Sequence, residues 1–107
     1  MTVRVYMHAR EEQSVETALI DCRAMENLMK MSYVRKLKLP IKKMLEPQWV
    51  YNVDGTQNKD GPVQYYTDLN VQTGQDYILF RFFLANMGSS KVLLGYPWMS
   101  TIQPRIN

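Results

Sequence analysis

The residue best placed to do chemistry is Asp21, the acid that ends the apolar run Thr17-Ala18-Leu19-Ile20. A carboxylate at the end of a buried strand is costly unless something pairs it or uses it, so Asp21 needs a reason to be there. The other reactive side chains stand alone. Cys22 is the only cysteine and His8 the only histidine, so the chain has neither an intrachain disulfide nor a paired set of metal ligands. No metal and no cofactor is expected. A second stretch, Val92-Leu93-Leu94-Gly95-Tyr96-Pro97-Trp98-Met99, has the same hydrophobic-hydrophobic-Gly character and belongs with the first.

Taken with Val50-Tyr51-Asn52-Val53-Asp54-Gly55-Thr56 between them, the two stretches resemble the protease domain of gypsy-type LTR retrotransposons, a relative of the retroviral aspartic proteases. That family carries Ala-Leu-Ile-Asp-Ser/Thr-Gly-Ala at its catalytic strand. Here Ala18, Leu19, Ile20, Asp21 and Ala24 match, and Asn27 is in place. Leu39-Pro40-Ile41, Tyr51 to Gly55 and Leu94 to Trp98 extend the likeness over nearly the whole chain. The resemblance implies an all-β fold: a small closed retropepsin-like barrel with a flap hairpin and one or two short helices, homodimeric. It makes Asp21 the catalytic residue and residues 22–24 the active-site loop. Val53, Asp54 and Gly55 fall near the tip or inner face of the flap, and Leu93, Leu94 and Gly95 form a core motif.

An aspartic protease needs two carboxyls sharing a proton, one as general base on water and one as acid to the scissile carbonyl. One chain supplies one, so the mechanism requires a twofold homodimer that sets Asp21 against its copy. The substrate would be an extended polypeptide. The sequence departs from the family where Cys22 and Arg23 stand in place of Ser/Thr and Gly. A thiol is a weaker hydrogen-bonding group than a hydroxyl, which loosens the link beneath the dyad. Arg23 is the graver change: beside the dyad its guanidinium would favour ionisation of both carboxylates, leaving no acid. The expectation is therefore a peptidase fold with reduced or absent endopeptidase activity. The alternative is a non-catalytic dimerisation or protein-interaction module.

At 107 residues the chain is read as one domain spanning 1–107, large enough for a modest core. The net charge of +3 is unevenly placed, because Lys30, Arg35, Lys36, Lys38, Lys42 and Lys43 share a stretch without an acid. That stretch reads as a solvated helix face and loop, or as a surface for an acidic partner. A nucleic-acid-binding barrel is disfavoured because exposed aromatics do not interleave with the cations. No apolar run reaches the roughly 20 residues that cross a bilayer and no signal-peptide core opens the chain, so it reads as intracellular, cytoplasmic and without a membrane partner.

Stepping along the chain, alternation predicts strands over 2–7 and 15–20, with a charged turn over 9–13 and the second strand becoming apolar on both faces near Asp21. Beyond Asp21 the spacing of Leu28, Met29, Tyr33, Val34 and Leu37 reads as helical, with Ser32 capping a short helix that stops before Pro40. Strands over 49–53 and 63–71 form a hairpin through a polar loop. A turn at 73–75 leads to 77–84, read as buried on two faces. A short core strand over 91–94, a bend at Gly95, a helix over 97–102 and a tail from Pro104 complete the reading.

Overall fold

Val3, Val5 and Met7 alternate with Thr2, Arg4 and Tyr6, and this period of two places Val5 and Met7 at 1% exposure each on the inside of a strand. The computed structural model describes residues 2–9, 12–21, 24–49, 61–85 and 90–106. In chain order they form β1 (Thr2–Ala9), β2 (Glu12–Ile20), β3 (Leu28–Lys30), α1 (Met31–Lys36), β4 (Lys42–Gln48), β5 (Val63–Thr73), β6 (Asp76–Ala85), β7 (Val92–Leu94) and α2 (Tyr96–Ile106). The sheet runs β1-β2-β7-β3-β6-β5-β4, and β1 also pairs with β5. That last pairing closes β1, β2, β7, β3, β6 and β5 into a six-stranded barrel and leaves β4 outside it. Closure removes the open edges that a flat sheet of these strands would expose.

The barrel is filled from its walls. Ala18 from β2, Met29 from β3, Leu69 and Val71 from β5, Phe80, Phe82 and Leu84 from β6 and Val92 and Leu94 from β7 point inward, with Tyr33, Val34, Trp98 and Ile102 from the helices. A second, smaller cluster of Val63, Phe83 and Ala85 lies with Leu28, Met44 and Tyr66 packed against it. β5 and β6 meet at Thr73 and Asp76 through Gly74-Gln75. Gly74 has φ +60°, and among the described residues Gln75 is not left-handed, so the turn has the glycine-first form that matches strand twist.

Several elements differ from the sequence reading. Leu28 and Met29 are strand, not helix: β3 runs parallel to β6 and antiparallel to β7, and these neighbours decide the conformation of a three-residue run. The helix that follows has Lys30, not Ser32, at its N-cap and no side-chain cap, because β3 feeds directly into it. It ends before Pro40 can act. Lys38 takes φ 56°, its N–H donates to Arg35 O and the Leu39 N–H donates to Val34 O, a Schellman closure without glycine. Strand β4 appears where the sequence shows only a basic stretch, and six of its seven residues, all but Met44, are exposed. In β6 the first half exposes Tyr77 and Leu79, Arg81 is exposed too, and only Phe82 to Ala85 are buried on both faces. Leu19 likewise keeps part of its surface exposed, so β2 is not apolar-buried on both sides. Finally, α2 runs through Pro104 to Ile106 in place of a tail; so near the helix end the proline removes only one ladder donor.

Candidate functional site

β7 lies between β2 and β3, parallel to the first (Leu19 with Leu93, Ile20 with Leu94) and antiparallel to the second. This crossing builds the site. The Asp21 N–H donates to Leu94 O at 3.0 Å, carrying the β2–β7 ladder one residue past the strand and fixing the backbone that bears the half-buried carboxyl. The Ala24 N–H returns to Asp21 O at 3.1 Å, and the Tyr96 N–H donates to Ala24 O at 2.8 Å. The loop is thus tied to the β7–α2 junction at both of its described ends.

Asn27 completes the tie from below. It is 1% exposed, its Oδ1 accepts the Gly95 N–H at 2.9 Å, and its own carbonyl accepts the Phe83 N–H at 2.9 Å. Gly95 is required by proximity: a Cβ there would lie 2.5 Å from Glu26 O and 2.6 Å from Ala24 O. The junction therefore depends on one side-chain amide and one missing side chain. Leu94 is fully buried and Leu93 partly so, one facing the core and the other away from it.

A second link joins the loop to β4. The Glu26 side chain is hydrogen-bonded to Gln48, the last residue of β4; burial pushes the Glu26 carboxyl above its ordinary range and the bond to Gln48 partly offsets this. Midway along β2, Glu16 lies 3.9 Å from Lys91 Nζ and is hydrogen-bonded to Tyr33, whose hydroxyl is pushed up to about 12 by burial first and by that carboxylate second. This cluster joins β2, α1 and the entry to β7. It lies five residues from Asp21 along the strand.

Of the residues the sequence singles out, the structure brings together Asp21, Ala24, Leu93, Leu94 and Gly95. Cys22 and Arg23 of the loop, and Val53, Asp54 and Gly55 of the expected flap, lie outside the described residues. The flanking strands do pair: β4 and β5 are antiparallel, with Lys42 opposite Tyr66, Lys43 opposite Tyr65 and Gln48 opposite Val63. The arm thus begins earlier than residue 49. Sequence reasoning placed Asn27 within a motif without its role, and it missed the Glu26 to Gln48 link. An amide set just before Leu28 and Met29 was the available signal for the first. Chemically, the site presents one carboxyl on a fixed backbone, and among the described residues no group of three His, Cys, Asp or Glu could hold a metal ion.

The family model for the PEG10/RTL1 protease domain matches residues 17–107. The match begins inside β2, and β1, which precedes it, contributes a wall of the same barrel. No curated protein matches the chain. No helix among the described residues is long and apolar enough to cross a membrane.

Proposed function

This chain belongs to the PEG10/RTL1 protease-domain family, a retrotransposon-derived retropepsin-like domain, and from that premise we propose that it acts on polypeptide as a homodimer in which each protomer contributes Asp21. The observation that carries the reading is the clamped Asp21 backbone, held on the β2–β7 crossing by Leu94 and on the β7–α2 bend by Ala24, Asn27 and Gly95. Preorganisation of that kind is what a reacting carboxyl needs and what an ordinary surface acid lacks. In the dimer one Asp21 is ionised and activates water while its copy, kept neutral by the first, protonates the scissile carbonyl. The exposed apolar side chains Met25 and Tyr96, 72% and 57% accessible, flank this loop and support its being covered by a second copy. The arm of β4 and β5, with Val53, Asp54 and Gly55 beyond its described part, would close over an extended substrate.

Cys22 and Arg23 make the proposed activity low or absent. The guanidinium supports the second reading, a dimeric interaction module that retains the barrel and has lost the acid of the dyad. Incubation with an unfolded protein library between about pH 3 and 7 separates the two. Cleavage that disappears in Asp21→Asn establishes the peptidase. A strict monomer by mass across concentrations excludes both, since one chain holds half of the dyad.

A further inference from the structure

Strand β4 pairs with β5 on one side only, and among the described residues its other edge has no partner. Ile41, Lys42, Lys43 and Leu45 are all exposed there, Leu45 completely. The chain leading into it carries Arg35, Lys36 and Lys38, also exposed, and Lys38 is four residues before Lys42, within about 14 Å of chain. No Asp or Glu occurs from Asn27 to Leu45. The local charge is therefore strongly positive, with Glu46 its first acid.

Three readings of this patch can be separated on geometry. Arg35 and Lys36 are in α1, and Leu39, between Lys38 and Lys42, is 8% exposed, so the stretch is not available as an extended linear basic signal. Lys42 is opposite Tyr66 and Lys43 opposite Tyr65, and successive strand residues face opposite ways, so the two ammonium groups lie on the two faces of β4. The Tyr66 ring is already covered by the Arg81 guanidinium at 4.0 Å. A strand of nucleic acid stacked on one face meets half of the charge and one free tyrosine. A polypeptide lying along the edge meets both lysines, because its own side chains alternate above and below in the same way.

We propose that the outer edge of β4, at Lys42 to Leu45, is a docking site for an extended acidic polypeptide segment that adds to the sheet as a further strand. Backbone hydrogen bonds along the edge supply the affinity, Lys42 and Lys43 select carboxylates on both faces, and Leu45 takes an apolar side chain. The β4–β5 register is irregular between Lys43 and Gln48 and Pro47 lacks an N–H, so the added strand is laddered at Lys42 and Lys43, reaches Leu45 where β4 bends, and ends before residue 47. The same lysines are the usual protection of an edge against indiscriminate pairing, and that protection is selective by charge. The inference stands apart from catalysis, since it concerns recognition at the arm and leaves Asp21 untouched.

The test is fluorescence anisotropy of the full chain with a labelled nine-residue peptide of alternating glutamate and valine. The matched lysine–valine peptide should bind at least roughly tenfold more weakly, and Lys42→Glu with Lys43→Glu should reverse that preference while the circular dichroism of the barrel stays unchanged. The same acidic peptide N-methylated at alternate residues, which cannot form the ladder, should also lose roughly tenfold. Equal binding of the N-methylated peptide shows a polyanion surface and overturns the edge. Tighter binding of a single-stranded oligonucleotide than of the acidic peptide overturns the occupant. Self-association that the Lys42 and Lys43 variants abolish assigns the edge to a second copy and likewise overturns it.

Discussion

Around Asp21, segments more than 60 residues apart in sequence meet through hydrogen bonds to Leu94, Ala24 and Gly95, whereas β4 pairs with the barrel at Lys42, Lys43 and Gln48, packs Met44 against it and otherwise exposes its side chains to solvent. The two regions use the chain differently. At the junction the backbone of Asp21, Ala24, Asn27, Leu94, Gly95 and Tyr96 is hydrogen-bonded, and a small change in volume at Gly95 has no room to relax. In the arm most side chains have left water on one side at most, so substitutions there act on recognition more than on stability. The first kind of region can aim a single carboxyl, and the second leaves a strand edge open to a further partner.

Substitutions that break this contrast rank by what they disturb. Gly95→Ala drives a methyl into the carbonyls of Glu26 and Ala24 and should cost about 2–4 kcal/mol, with loss of the cooperative thermal transition as the readout. Asn27→Ala removes the acceptor of a buried N–H and should cost about 1–3 kcal/mol in urea unfolding. Lys38→Gly acts in the opposite direction: it relieves a left-handed non-glycine residue in the elbow before β4 and should raise stability by about 1 kcal/mol.

Glu26→Gln sharpens the link between the regions. Burial favours the neutral acid in the folded protein, so as pH rises from the ordinary value near 4.5 the unfolded chain releases its proton first and the fold loses stability from there upward. The variant should flatten this loss. Its effect stays below about 1 kcal/mol because the carboxyl is partly exposed and solvent screens it, and stability curves at pH 4 and 7 read the difference. Leu45→Thr, in the exposed part of the arm, should change stability by less than about 0.5 kcal/mol.

What could be read from the sequence follows the same division. β1, β2 and the position of Asp21 at a strand end were legible because alternation is local and the acid interrupts it. β3 was not: Leu28, Met29 and Lys30 carry no period of their own, and β6 and β7, more than 45 residues away, impose the extended form. β4 was not legible for the opposite reason, since a strand exposed on nearly every residue shows no apolar face. Burial on two faces was correct for Phe82 to Leu84 and wrong for Tyr77 to Leu79, because β3 borders only the end of β6 from Phe83 to Ala85. In the site, the motif located Asp21, Ala24 and Gly95, but the hydrogen bond that the Glu26 carboxyl accepts from Gln48 crosses between elements and left no trace in spacing.

The central claim is that the Asp21 carboxyl is built to work against its own copy and that Cys22 and Arg23 suppress it. Peptide cleavage by the double variant Cys22→Ser with Arg23→Gly tests this most directly. The account predicts that the variant gains activity over the parent, loses it again on Asp21→Asn, and falls off with the square of dilution once dimers dissociate. A variant that remains dimeric yet is as inert as the parent would contradict it.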